Sequence, residues 1–254
     1  MADSARVARD EERRASVVSI RDLRTRCSRC DIRELCLPVG LDDAALRQLD
    51  HVVRTRRRVK RGESLFHAGD PFAELFAVRV GTFKITILAY DGREQITGYQ
   101  MSGDLVGFDG ISTGRHQCNA IALEDSEACV MPFDGLAEIA RTVAPLQLSL
   151  HRFLSREIGR DQQLMLTLGR LGAEERLAAF LVNLAERHRA RGFASREFVL
   201  RMTRAEIGNY LGLTLETVSR LFSRLKREGL LQADGRVIRN LDLEGLRKRA
   251  GRTC

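Results

Sequence analysis

No stretch of this 254-residue sequence approaches the ~20 consecutive apolar residues that a membrane-crossing helix needs. Its opening, MADSARVARDEERRASVVSI, lacks the apolar core of a signal peptide and mixes acidic residues with arginines. That segment reads as a flexible N-terminal arm over 1–26, and the expected compartment is a reducing cytoplasm. The five histidines, at 51, 67, 116, 151 and 188, are scattered, and none has metal-ligand spacing with another. A dinucleotide-binding fingerprint, a paired nucleophile and base, and a second cluster motif are missing too, which argues against an enzyme or electron carrier. There is no internal repeat and no low-complexity tract.

What is present fits a folded protein with a core, at 44% hydrophobic and 30% charged residues. The net charge is +8, and it is concentrated: residues 201–254 hold twelve Arg and Lys against six Asp and Glu. A locally basic domain suggests a polyanion as partner, because each neutralised phosphate releases counterions. A solvated charged face gives the same composition, so charge alone does not decide.

The texture changes along the chain. LDDAALRQLD has Leu41, Ala45, Leu46 and Leu49 at helical spacing. From about Val53 to Phe133, short β-rich pieces are punctuated by glycines, and Asp91-Gly92 between ITILAY and REQITGY is a hairpin signal. Many short strands with such turns predict a small β-barrel or jelly roll. Pro145 then opens a long helix, as suits a first helical turn. Along it Leu150, Leu154, Ile158, Asp161, Met165 and Leu168 form a seam with a period of about 3.5 residues, the repeat of a coiled coil. This seam is the expected dimerisation surface, and Asp161 is its odd member, since burying a carboxylate costs several kcal/mol unless it is protonated or paired. A further amphipathic helix runs through AEERLAAFLVNLAERHRA.

The segment TRAEIGNYLGLTLETVSRLFSRLKREGLL contains two helix starts. Thr203 with Glu206 forms a capping box, and Thr214 suits the N-cap of the next helix. Leu211-Gly212-Leu213 between them is the tight turn of a helix-turn-helix. LLQADGRVIRNL, with Asp234-Gly235 at its tip, reads as the hairpin of a winged variant. In the second helix Glu216, Thr217, Ser219 and Arg220 lie in the first two turns, with Val218, Leu221 and Leu225 on the buried side. Arginine can grip guanine O6 and N7, and glutamate can accept from cytosine N4, so this face suits the major groove of double-stranded DNA.

Cys27, Cys30 and Cys36 put three thiols within ten residues. Three is one short of a four-thiolate site, which suits either zinc or iron–sulfur. A disulfide does not suit a reducing compartment. The spacing lacks the paired knuckles of a zinc ribbon without excluding zinc.

Taken together, GDLVGFDGI, EERLAAF and TRAEIGNYLGLTLETVSRL resemble the CRP/FNR superfamily of bacterial transcription regulators, and its FNR branch in particular. The resemblance runs from Cys27 to the end of the wing. It implies an α+β fold: a cysteine-rich segment and β-roll or jelly-roll sensor domain like a cyclic-nucleotide-binding domain over 27–144, a dimerisation helix over 145–172, and a winged helix-turn-helix over 173–254. It further implies an oxygen-labile [4Fe–4S] cluster on Cys27, Cys30, Cys36 and an internal cysteine just before a Pro-Phe pair. Cys129 in EACVMPF takes that place, while Cys118 and Cys254 match no ligand motif. GDLVGFDGISTGRHQCNAIA has Arg115 but no Arg-Ser pair, so no cyclic nucleotide is expected. A homodimer reading a TTGAT…ATCAA palindrome is implied, with Glu216 and Arg220 on the G·C pair and Ser219 near the neighbouring thymine. Contact with RNA polymerase is implied for Asp91, Gly92 and Phe193. Nitric oxide or redox input on the same thiols, or a zinc-stapled DNA-binding protein without gas sensing, are the alternatives.

Overall fold

The computed structural model describes residues 26–53 and 55–251; the arm before Arg26 and Cys254 lie outside the described residues. Strands β1 (Thr55–Val59), β2 (Ser64–Phe66), β3 (Glu74–Val80), β4 (Thr82–Leu88), β5 (Glu94–Met101), β6 (Leu105–Val106), β7 (Asn119–Ala122) and β8 (Ser126–Pro132) form two four-stranded sheets, ordered β1-β8-β3-β6 and β2-β7-β4-β5. All pairings in them are antiparallel. The expected hairpin is present, with Gly92 at its tip donating to the Ala89 carbonyl at 2.9 Å.

Side chains alternate across a strand, and that alternation gives the first sheet two apolar faces. Phe76, Val78, Ala128 and Val130 pack with Phe83 and Ala120 between the sheets. Leu75, Ala77, Cys129 and Met131 face the other way, into a separate core. Helices α1 (Asp43–Val52), α2 (Phe133–Thr142) and the start of α3 (Ala144–Arg170) cover that face through Leu49, Leu136, Ala140, Leu146 and Phe153. Asp42 caps α1 by accepting from the Ala45 amide at 2.8 Å. Helix α2 is not anticipated by the sequence pattern, because FDGLAEIART buries only Leu136 and Ala140 and starts without a side-chain cap.

Helix α3 is 27 residues long, with proline in its first turn. It buries Leu146, Ser149, Phe153 and Thr167 against its own chain. The seam lies on another side: Leu150, Leu154 and Leu168 are half-buried, Asp161 is exposed, and Ile158 and Met165 are 57% and 65% exposed.

A two-residue bend, Leu171-Gly172, leads to α4 (Ala173–Ala190), the central helix of the C-terminal part. Around it lie β9 (Phe198–Val199), α5 (Arg204–Leu211), α6 (Leu215–Arg227), β10 (Gln232–Asp234), β11 (Val237–Arg239) and α7 (Leu243–Arg249). The wing has a third strand that the hairpin signal does not reveal, in the order β10-β11-β9. Helix α7, capped by Asp242, is too short to show a period.

The two parts share a core in which Ile96, Tyr99 and Met101 of β5 pack with α4, α5 and α6. Asn209 of α5 completes the β5 edge as a strand would: its side chain accepts from the Ile96 amide at 2.6 Å and donates to the Glu94 carbonyl at 2.8 Å. Tyr99 donates its hydroxyl to the Glu206 carbonyl at 2.9 Å. Asn209→Ala strands two backbone groups at this junction and is expected to destabilise the chain by about 1–3 kcal/mol. Denaturant unfolding combined with amide exchange at Ile96 checks it, and an unchanged midpoint with full protection contradicts it.

Candidate thiol centre and nucleic-acid interface

The cysteine segment forms two short 3₁₀ turns, Cys27–Arg29 and Arg33–Leu35. Ser28 pins the first to α1, donating its hydroxyl to Asp50 at 2.5 Å and its amide at 3.2 Å. Leu35 pins the second against Gly103, which has φ +91° and so close an approach that a Cβ there would lie 2.8 Å from the Leu35 Cβ. Only glycine suits that backbone.

Cys27, Cys30, Cys36 and Cys129 line one small cavity of about 20 Å³. Cys36 and Cys129 are buried, Cys27 and Cys30 half-buried. Cys129 arrives there from the centre of the sheet, opposite Arg56 on β1 and Ala77 on β3. Burial pushes the Cys36 thiol up to about 12, with Cys129 and Cys30 adding to the shift. Burial and Cys30 take Cys129 to about 11 against the pull of Arg56 and Arg79. Cys27 is raised well above the usual thiol range by burial and by Cys36 and Cys129. Among the described residues, no group of three or more His, Cys, Asp or Glu side chains is arranged to hold a metal ion.

Arginines that the sequence reading passes over surround these thiols. Arg26, Arg33, Arg56 and Arg79 line the same cavity. Arg79 is bonded to Glu127 at 3.0 Å and also faces the Cys30 sulfur. The Arg56 Nε–H is buried without an acceptor, although another nitrogen of the group pairs with Glu127 at 3.3 Å. The signal was the alternation in RTRRRV, which sets Arg56 on the Cys129 side.

A second missed residue, Asp104, is 4% exposed and sits immediately after Gly103. Its carboxylate accepts from Arg160 at 2.9 Å, Arg187 at 2.7 Å, Arg191 at 2.9 Å and the Met101 amide at 2.8 Å. Burial alone would raise its pKa, but the three guanidinium groups hold it well below the usual carboxylate range. Arg160 also bonds Glu157 at 3.0 Å and neighbours Asp161. Asp161 itself is raised by partial burial and by Glu157, with Arg160 opposing. Cys118 is separate from the thiol cavity: its sulfur donates to Asp109 at 3.2 Å.

In the head, Thr203 and Glu206 form the expected reciprocal cap, and Gly212 closes α5 in the left-handed region at φ +62°. Thr214 caps α6 by accepting from the Thr217 amide at 3.2 Å. Val218, Phe222 and Leu225 are buried, while Glu216, Ser219 and Arg220 are exposed. Thr217 is half-buried, and its hydroxyl accepts from Arg220 at 3.4 Å. Hydrogen bonds at the start of α6 hold the Glu216 carboxyl below its usual range. Asp91 and Gly92 stand at an exposed hairpin tip, where Arg93 bonds the Asp91 carboxylate at 2.7 Å. Phe193, after α4, is 59% exposed.

The raised thiols have a consequence for the metal-free protein. Unfolded cysteines ionise near ~8.5, whereas Cys129 and Cys36 hold their protons to about 11 and about 12. Stability is therefore fully present below the unfolded value and falls as pH rises through the folded ones. Melting temperatures should decline above about pH 8.5 more steeply than in Cys36→Ser, whose slope isolates the thiol from other groups ionising there. Equal slopes contradict the assignment.

Residues 175–249 match the family model of the Crp-like helix-turn-helix domain, and residues 56–142 match that of the cyclic nucleotide-binding domain. The chain is 46% identical over 225 residues to the transcriptional regulatory protein btr of Bordetella pertussis, covering 89% of this chain and 93% of that one. It is 44% identical over 227 residues to the fumarate and nitrate reduction regulatory protein of Escherichia coli, covering 89% and 91%. Among solved structures, FixK2 from Bradyrhizobium japonicum superposes with a TM-score of 0.70 at 30% identity, covering 76% of this chain and 96% of that one. No helix among the described residues is long and apolar enough to cross a membrane. Two domains in this order, sheets and head joined by a long helix, and relatives of this identity make the chain a transcription regulator of the CRP/FNR superfamily, in its FNR branch, and not an enzyme.

Proposed function

We propose that this chain is an oxygen-responsive regulator of anaerobic-metabolism genes, in which a [4Fe–4S] cluster on Cys27, Cys30, Cys36 and Cys129 promotes pairing through α3. The observation that carries this is a shared core: Cys36 and Cys129 are buried together with Leu146 and Phe153 of α3, with Cys27 and Leu150 at its edge. Ile158 lies outside that core and is exposed, so the helix is reached through Phe153 and its neighbours.

The residues present fit such a group. Arg56, whose buried Nε–H has no acceptor, lines the thiol cavity, and the four arginines there would offset the charge of four thiolates. Four thiolates suit either zinc or iron–sulfur, and the resemblance to the FNR branch favours the cluster. When bound, the cluster supplies positive charge to the thiolates and an oxygen-sensitive tie between the N-terminal segment and β8.

Everything downstream is done by side chains of the chain. Leu35 rests on Gly103, Asp104 holds Arg160, and Arg160 lowers the proton affinity of Asp161. In a symmetric pair two Asp161 carboxylates approach each other, so a cost near 1.4 kcal/mol already shifts pairing about tenfold. Pairing presents two α6 helices to half-sites about 34 Å apart. Glu216 and Arg220 read the G·C pair of a TTGAT…ATCAA palindrome, and Ser219 lies near the thymine. Asp91, Gly92 and Phe193 are offered to RNA polymerase. A cyclic nucleotide is not part of this reading: the Gln117 and Cys118 amides are already bonded to Asp109, and Arg115 to the Gly69 carbonyl at 2.7 Å. The cytoplasm is the compartment this function requires.

Protein purified without oxygen should contain iron and sulfide and sediment as a dimer, reverting to single chains in air. An iron-free preparation, or self-association indifferent to air, ends the proposal, and zinc in a colourless dimer favours the staple. Asp161→Ala should pair and bind DNA in air, and should lose the strengthening of pairing at low pH that protonation of Asp161 gives the parent chain. A monomeric variant removes its gatekeeping role. Arg220→Ala should weaken palindrome binding by about 1–3 kcal/mol and relax selectivity at the G·C pair; retained selectivity in a binding titration over substituted sites contradicts the assignment.

A further inference from the structure

Arg176, in the first turn of α4, spans the bend between the pairing helix and the head. Its guanidinium donates to three carbonyls at once: Leu168 at 2.7 Å, Leu171 at 2.9 Å and Leu211 at 3.0 Å. The first two close the end of α3, where carbonyls have no partner within the helix and a cation suits the helix dipole. The third belongs to the last residue of α5, at the turn that precedes α6. Gly212 sits against the same group, and a Cβ there would meet Arg176 at 3.3 Å and Leu168 at 3.6 Å. Only Leu171 and Gly172 separate α3 from α4, so the covalent connection leaves the angle open.

We infer that Arg176 is a positioning residue that sets the angle between α3 and the reading head, and through it the half-site spacing that the dimer accepts. The inference rests on the proposed pairing through α3. Asn209 ties α5 to the β-roll, whereas Arg176 ties it to the helix whose second copy defines the two-fold axis. One base pair added between half-sites moves the second by about 3.4 Å and about 35° around the duplex. A head clamped to α3 as well as docked on β5 discriminates against that displacement more sharply than one held by the β5 contacts alone. Arginine is suited to the task because its planar fork reaches three acceptors, which a lysine ammonium on a flexible stem does not hold in a fixed plane.

The test compares full-length wild type, Arg176→Lys and Arg176→Gln, prepared without oxygen. Each is titrated on the palindrome, on versions with the spacer lengthened or shortened by one base pair, and on a lone half-site. The wild type should prefer its own spacing by about tenfold or more, a difference within reach of lost charge-assisted hydrogen bonds. Arg176→Gln should lose most of that preference while still sedimenting as a dimer and binding the half-site, with Arg176→Lys between the two. Amide exchange on the air-exposed chain is the second readout: residues 168–171 and 211–213 should exchange faster in Arg176→Gln while the β-roll keeps its protection. A spacing preference equal to wild type in Arg176→Gln overturns the inference. A wild type that does not pair through α3 sinks the proposed function instead; unchanged exchange in the variant would then overturn the clamp by itself.

Discussion

Burial of the outer face of the β1-β8-β3-β6 sheet is the constraint on which the other parts depend. A strand with apolar residues on both sides needs two cores, and the second is built from the cysteine loop and three helices. Leu37 and Cys36 from the cysteine loop, Leu49 from the first helix and Val53 just after it, Leu136 from the second, and Leu146 and Phe153 from α3 all meet there. Each large side chain so buried contributes roughly 1.5–3 kcal/mol, so the loop and the helix cannot move independently. Whatever changes the packing around the thiols changes the seat of α3.

Charge complements this apolar coupling by giving it direction. Asp104 is buried with three arginines, Arg160 of α3, Arg187 of α4 and Arg191 just after it. Removing one partner of such a set leaves uncompensated charge in a low-dielectric place, which is strongly unfavourable. The set therefore has few alternative arrangements. It sits one residue from the glycine that receives Leu35, and it ends on Arg160 beside Asp161. The thiol segment and the odd carboxylate of the seam are thus joined by packed and bonded groups at every step.

The head follows the same economy of contacts. Its docking on β5 uses Asn209, Tyr99 and the backbone of α5, and leaves the Glu216, Ser219 and Arg220 face of the next helix open. The exposed face and the docking contacts are on different helices, so positioning the head leaves that face free.

Local chemistry made much of this legible in advance. Capping pairs, the turn glycine, the long helix and the strand punctuation are decided by residues within a few positions of one another, and the structure places each of them as the sequence reads. The helix over FDGLAEIART, the third wing strand and the last helix were illegible, because each is held by distant packing and not by its own pattern. The thiol quartet is intermediate: the trio is visible in the sequence and Cys129 is supplied by resemblance, but only strand alternation and sheet order carry Cys129 to the cavity with Arg56 and Arg79. Asp104 and Arg176 lay in plain view as ordinary charged residues. Their partners lie dozens of positions away or across a bend, and an ionic or carbonyl contact of that range leaves no spacing for a linear reading to detect.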